Sequence, residues 1–430
     1  MKDSFGFKNA LLVPMDGRSP FKGTLIITGD RISYCGDSEN APSCGNIQDG
    51  SDYIVIPGLI NAHLHSDAYI FKGLLDNMNL KEQYLKTNKL GDLMDDDVMI
   101  LSRTLSYIEA VRSGTTYIIE HQFRSLGERA VEPFITAGVR GAVVFDRDDI
   151  TNEFVRFINS KGYDVFINLP SEEDFSIEIL EDLARLSKNT GVRLYGHIAE
   201  TTWRLALCYE KFSKSPVEVL EMTGVLETKP VIVHGCFLSE GDIALLAKYG
   251  ASVVNTPVSE MKIGDGVAPI PSLLRCGVNV GLGTDGALWN NGADILGEAK
   301  VLLLLHSLTS IPGRVNEYDA LGSVTCEGAR LLRRTDIGML HENAYADFIV
   351  MRAGEPEILP IYISQGRLNI ISNIVLSAGR SCIDSVYASG REIMRDGTIV
   401  GINTKILIDR MNEWLNEKSE EIDKIIENNI

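Results

Sequence analysis

No apolar run in this 430-residue chain approaches the roughly 20 residues that cross a bilayer, and stretches such as Val301-Leu-Leu-Leu-Leu305 fall well short. A membrane span is therefore excluded. The start, Met1-Lys-Asp-Ser-Phe-Gly-Phe-Lys8, lacks a long apolar core and a small-residue cleavage site, so a cytoplasmic location is expected. Cysteine is sparse and unpaired: seven residues lie at 35, 44, 208, 236, 276, 326 and 382, none in Cys-x-x-Cys spacing. That argues against a closed structural zinc site and fits reduced thiols. Basic residues fall 18 short of acidic ones, 41 against 59, with a sequence pI near 4.9. Such a charge opposes binding to phosphate backbones, so nucleic acid is not an expected partner. What the chain does have is ordinary globular composition, 44% apolar and 23% charged.

Between residues 57 and 341, β-branched apolar runs alternate with amphipathic stretches, the pattern of repeated βα units. Eight runs are countable. The first ends at His65, and Thr115–His121, Val139–Phe145, Tyr163–Leu169, Val192–Ile198, Pro230–Gly235, Ala251–Thr256 and Val278–Asp285 follow. Eight units make a closed (β/α)8 barrel. Segments such as Ile177–Leu186 and Glu240–Lys248 carry leucines at three- and four-residue spacing and read as its outer helices. Leu80 to Arg112 is too long for one plain connection, which predicts an extra helix beside the barrel mouth. Residues 1–56 and 342–430 are rich in short strand and turn signals, and chain termini commonly lie close together. They are expected to pair into one small composite β-sandwich domain, with a closing amphipathic helix over 404–427.

In Asn61-Ala-His-Leu-His65, side chains at i and i+2 of a strand point the same way, so His63 and His65 can offer two imidazoles to one cation. His197 ends the fifth run, His234 the sixth, Asn255 the seventh and Asp285 the eighth, all at the face where barrel enzymes build their sites. Three imidazoles and a carboxylate suit zinc or iron in an open, catalytic site. Glu200, three residues after His197, is placed to take a proton from water and pass it to a leaving nitrogen. Phe71, His121, Asn255, Glu260 and Trp289 lie just past strand ends and are candidates for substrate contact. Trp289 is suited to stacking on a flat ring.

These stretches resemble the amidohydrolase superfamily, in the branch holding guanine, adenosylhomocysteine and methylthioadenosine deaminases and triazine hydrolases. The likeness is carried by Pro57–His65, Ser113–Thr116, His197–Thr201, Val233–Cys236, Gly266–Leu274 and Gly277–Gly286, with Ala346–Val350 and Val386–Gly397 in the tail. It implies one divalent metal, zinc first and iron second, held by His63, His65, His197 and Asp285. It implies Glu200 as proton shuttle, His234 as hydrogen-bond partner of the attacking water or developing charge, and Asp285 in a second role as acceptor of the water proton. The implied reaction is attack of metal-generated hydroxide on a small nitrogen heterocycle of purine, pyrimidine, pterin or triazine type, releasing ammonia.

The chain also departs from that pattern. Lys86–Leu90 and Pro170–Phe175 stand where nucleoside-deaminating relatives carry elements that hold the sugar, and Asn255-Thr-Pro-Val-Ser-Glu-Met-Lys262 changes two polar positions after strand seven. Adenosine-type substrates are thereby put in doubt. Other leaving groups, chloride or an alkylamine, and cleavage of a cyclic amide remain alternatives, as does a metal-free scaffold barrel. The oligomeric state, homo-oligomer included, is left open.

Overall fold

A computed structural model describes residues 4–364 and 367–427. All eight apolar runs form strands: Leu59–Leu64, Thr115–His121, Arg140–Phe145, Asp164–Asn168, Leu194–Ile198, Val231–His234, Ser252–Asn255 and Asn279–Leu282. They lie side by side in chain order, each parallel to the next. Both faces are covered, which is why the runs are apolar throughout and not alternating. One cluster, including Ile60, Tyr117, Ile119, Val144, Phe166, Tyr195 and Val233, is contributed by consecutive strands and fills the interior. A larger one joins strands to the outer helices.

The barrel closes where its eighth strand meets its first. The amides of Thr284 and Asp285 both donate to His63 O at 3.1 Å, and Asn61 Nδ2 donates to Thr284 Oγ1 at 2.8 Å. Gly283 permits the approach: a Cβ there would lie 2.8 Å from His63 N and O. The seam thus brings two candidate metal-binding positions, 222 residues apart in the chain, to one point.

Both termini build one nine-stranded mixed sheet. Strand Ser4–Leu12 is three places from Ile383–Ala388 in that sheet, about 14 Å away if the sheet were flat. The rings of Phe5 and Tyr387 nevertheless lie 5.5 Å apart, so the sheet curls around a core of its own that includes Phe7, Leu25, Val55 and Phe348.

The long first loop holds two helices, Leu80–Asp92 and Asp96–Arg112. The C-terminal helix Thr404–Glu427 packs on both, and Lys86 Nζ donates to Ile426 O at 2.6 Å. All seven cysteines are free thiols. Among the described residues no helix is long and apolar enough to cross a membrane.

Candidate active site

His63, His65, His121, His197 and His234, five of the seven histidines, gather at the carboxyl end of the barrel. Strand alternation alone does not explain this. Ile60 and Ala62 face the interior, so strict alternation would turn His63 away from it. The pairing with the second strand shifts register between Asn61 and Leu64, and such an irregularity re-aims the following side chains. Ala199, His234 and Asp285 adopt left-handed backbone conformations, with φ of 53°, 68° and 59°. A conformation this uncommon outside glycine is stored strain, and here it falls at the strand ends bearing the polar groups.

Two hydrogen bonds fix which imidazole nitrogens carry protons. Tyr195 Oη donates to Ala62 O at 2.6 Å, so toward His63 Nδ1, 2.9 Å away, it can only accept. His65 Nδ1 lies 2.5 Å from His121 O, a carbonyl that also only accepts. Both rings therefore hold their proton on Nδ1 and turn the bare Nε2 lone pair inward. Those lone pairs meet His197 Nε2, at 3.3 Å from His63 and 3.2 Å from His65. Asp285 Oδ1 closes the set, 3.6 Å from His63 Nε2 and 3.8 Å from His65 Nε2.

Converging lone pairs repel unless a cation lies between them. Ligand bonds of about 2.0–2.1 Å in tetrahedral array put neighbouring donors about 3.3–3.4 Å apart, close to the imidazole spacing here. His63, His65, His121 and His197 offer nitrogens within 4.8 Å of one another, and such imidazoles with a carboxylate oxygen nearby suit a divalent zinc-type ion. Burial pushes the His63 imidazole below its usual value and that of His65 down to about 4, and it holds His197 and His121 well below theirs. Neutral rings are what a metal requires. Burial works against ionisation of Asp285, and two hydrogen-bond donors oppose that effect. Ser259 Oγ donates to its Oδ2 at 2.6 Å and the Gly286 amide to its Oδ1 at 2.8 Å.

Beside this centre stands a second layer of charge. Glu200 is buried, with Oε1 3.5 Å from His234 Nε2 and Oε2 bonded to Arg204 Nη1. Burial disfavours a charge on His234, but Glu200, Glu260 and Asp285 outweigh it and lift the imidazole to about 10, so it is held as a cation. Its Nδ1 meets Thr256 Oγ1 at 3.0 Å and Glu260 Oε1 at 3.4 Å. His65, His197, Glu200, His234 and Asp285 line the floor of a cleft of about 250 Å³, walled by Tyr84, Phe123, Asn168, Glu173 and Trp289 among others.

The residues expected to touch substrate divide. His121 and Trp289 line the cleft. Phe71 does not: it is fully buried, its ring 6.0 Å from that of Trp414, because the turn after the first strand points it at the C-terminal helix. Asn255 and Glu260 are absent from the cleft surface too. Asn255 Nδ2 donates to Glu260 Oε2 at 2.6 Å, and the Thr256 amide to Glu260 Oε1 at 3.0 Å, behind His234. The Glu260 carboxylate faces the His234 imidazole, with Oε1 3.4 Å from Nδ1, and not the cleft.

Sequence reasoning passed over Tyr195, Arg204, Glu173 and Asn168. One carried a readable signal: Tyr195 is two residues before His197 on one strand, whereas Arg204 lies in the first turn of helix Thr202–Phe212 and Glu200 just before it. Asn168 Oδ1 accepts from His121 Nε2 at 3.1 Å, a pairing across strands with no sequence signature.

Residues 54–393 match the model of the Amidohydrolase family. A 5'-deoxyadenosine deaminase of Methanopyrus kandleri is 29% identical, covering 91% of this chain and 94% of its own. That of Methanosarcina mazei is 30% identical, over 94% and 95%. A 5-methylthioadenosine/S-adenosylhomocysteine deaminase of Caldicellulosiruptor saccharolyticus is 28% identical, over 98% and 99%. Among solved structures, a zinc-bound adenosine deaminase from Xanthomonas campestris superposes with a TM-score of 0.89 at 20% identity, covering 96% of this chain and 98% of that one. A zinc-bound atrazine chlorohydrolase from Arthrobacter aurescens gives 0.84 at 18%, over 96% and 100%.

Proposed function

The chain belongs to the amidohydrolase family, and from that premise we propose that it is a metal-dependent hydrolase that removes ammonia from a small nitrogen heterocycle. The observation that carries this is the approach of His63 Nε2 and His65 Nε2 to within 3.3 Å of His197 Nε2, with Asp285 Oδ1 3.6 Å from His63 and Glu200 beside His234. His63, His65, His197 and Asp285 would hold one ion, zinc in preference to iron. When bound, a divalent cation supplies the Lewis acidity that brings the pKa of water from 15.7 to about 7.

The protein's own groups do the rest. Glu200 Oε1 takes a proton from the attacking water and delivers it to the departing nitrogen, so that the ring carbon gains oxygen as its bond to nitrogen breaks. His234, held as a cation, aims Nε2–H at the same region and steadies negative charge growing on the adduct. Asp285, which would be a ligand of the ion, offers a second acceptor for the water proton. Trp289 and Phe123, whose rings stand 6.1 Å apart in the wall, suit a flat ring system. The named relatives deaminate adenosine derivatives. We take the substrate class here as the wider one, purine, pyrimidine, pterin or triazine, because Pro170–Phe175 brings carboxylates to the cleft where sugar-holding relatives differ.

The zinc-loaded protein is assayed for ammonia against guanine, adenine, cytosine, pterin, melamine and 5'-deoxyadenosine. Release from at least one is expected, and Glu200→Gln should keep one zinc per chain while losing about 10²–10⁴-fold in turnover. Silence across the panel refutes the deaminase reading, and chloride or alkylamine release from substituted triazines replaces it with the other leaving group.

A further inference from the structure

Of the five gathered histidines, His121 alone has no part in the chemistry so far. It ends the second barrel strand and is only 6% exposed. Its ring lies 4.7 Å from that of His197, 5.0 Å from His65 and 5.7 Å from His63. Two contacts behind it settle the tautomer. Asn168 Nδ2 donates to Asp146 Oδ1 at 2.9 Å, a carboxylate oxygen that accepts, so Asn168 turns its own Oδ1 to His121 and accepts from Nε2 at 3.1 Å. With the ring proton on Nε2, Nδ1 is left as a bare lone pair. That nitrogen is buried and has no hydrogen-bond partner among the described residues.

We propose that His121 Nδ1 is a further ligand of the ion, so that the centre holds four imidazoles where the sequence pattern announces three. This rests on the metal-dependent function proposed above. The nitrogens offered by His63, His65, His121 and His197 all lie within 4.8 Å of one another. Donors on opposite sides of an ion, with bonds of about 2.1 Å, stand about 4.2 Å apart, so the four are gathered on the scale of one coordination shell. Because Nε2 is bound to Asn168, Nδ1 is the nitrogen left for this task. A metal-bound imidazole characteristically gives its other nitrogen to a fixed acceptor, which sets the direction and tautomer of the ring. Tyr195 Oη and His121 O do so for His63 and His65, and Asn168, itself held by Asp146, does so for His121.

The surroundings favour a ligand over the substrate contact first expected of this residue. A nitrogen waiting for a substrate N–H should open on the cleft, yet Nδ1 is closed to solvent although His121 lines the wall. A lone pair shut off from water and met by no donor is costly unless something fills the space before it. A cation held by the three neighbouring imidazoles does so. Together with Asp285 the ion would then have five protein donors, more than the four common for zinc, and that count is what exposes the proposal to refutation.

The test compares the zinc-loaded parent with His121→Phe, which keeps a flat ring and the backbone carbonyl that His65 uses, and with Asn168→Leu, which removes the acceptor at Nε2. X-ray absorption at the zinc edge should show the outer-shell scattering of four imidazoles in the parent and of one fewer in His121→Phe. Zinc affinity, read by competition with a chelator, should fall by about 10–100-fold or more in His121→Phe and by about 10-fold in Asn168→Leu. A merely structural ring would lower the urea stability of the metal-free form and leave zinc affinity at the parental level. Only three imidazoles around the parental ion, or an affinity within about twofold of the parent in His121→Phe, overturns the proposal. So does a rise in KM for a panel compound with zinc affinity unchanged, which would return His121 to the substrate. Should His121→Phe fail to fold, the imidazole count of the parent and the zinc affinity of Asn168→Leu decide. Neither of these readouts needs turnover, so failure of the deaminase reading and failure of this ligand assignment are read separately.

Discussion

Replacing Tyr195 with Phe removes one buried oxygen and leaves its ring in the barrel interior. That oxygen donates to Ala62 O and receives the Nδ1 proton of His63, and burial keeps the hydroxyl protonated by pushing its pKa well above the usual phenol value. In the variant, two buried polar groups lose their partners, each at about 1–3 kcal/mol, so unfolding free energy of the metal-free form should fall by about 2–6 kcal/mol. A separate loss falls on the metal. With no acceptor at Nδ1, the His63 proton can move to Nε2 and block the lone pair, which should weaken zinc binding by about 10–100-fold, or about 1.4–2.8 kcal/mol. Zinc affinity is read by competition with a chromophoric chelator at neutral pH, and stability by urea unfolding of the metal-free and loaded forms. If stability falls as expected while zinc affinity stays within about twofold, Tyr195 only supports packing and the tautomer argument for His63 is refuted.

Burial holds the His306 imidazole down to about 4 from 6.5, so it stays neutral in the fold and gains its proton only on unfolding. Its contribution is complete above 6.5 and is lost as pH falls toward 4; at about pH 5 the linkage amounts to about 2 kcal/mol. His306→Leu should therefore flatten the fall in urea stability between about pH 7 and 5 by that amount, and an unchanged slope would contradict the shift. Asp67 and Arg103 form a fully buried pair at 2.6 Å, and Asp67 Oδ2 also takes the Phe123 amide at 2.8 Å. Asp67→Ala should cost about 3–5 kcal/mol in unfolding free energy, and the double variant Asp67→Leu with Arg103→Met much less; equal losses would deny that the stranded charge is the cause. Stripping zinc with a chelator should leave the far-ultraviolet circular dichroism intact, because the barrel cores contain none of the ligands, yet lower Tm. Unfolding on chelation would instead make the ion structural.

The barrel was readable because all eight strands are buried on both faces, and that condition writes itself into sequence as apolar runs of even spacing. The polar residues closing those runs, His63, His65, His197, His234 and Asp285, stood out against them for the same reason. Hydrogen bonds to backbone carbonyls are not written in side-chain identity, so nothing in the sequence directs His65 Nδ1–H to His121 O or sets Tyr195 between Ala62 and His63. The expectations that failed share one physical cause. Phe71, Asn255 and Glu260 were placed by their distance from a strand end, but that distance does not say which way the chain turns after it. At Phe71 a short turn of 3-10 helix sends the ring toward Trp414. At Asn255 and Glu260 the following helix folds both side chains behind His234, where their charge and amide serve an internal cation. The same logic explains Arg204. Its four-residue spacing from Glu200 looks in sequence like an ordinary surface ion pair, although Glu200 stands before the helix that carries Arg204. In the fold the turn Glu172–Asp174 packs against helix Thr202–Phe212, Arg204 and Glu200 are buried, and Glu173 shares the guanidinium, none of which a spacing records.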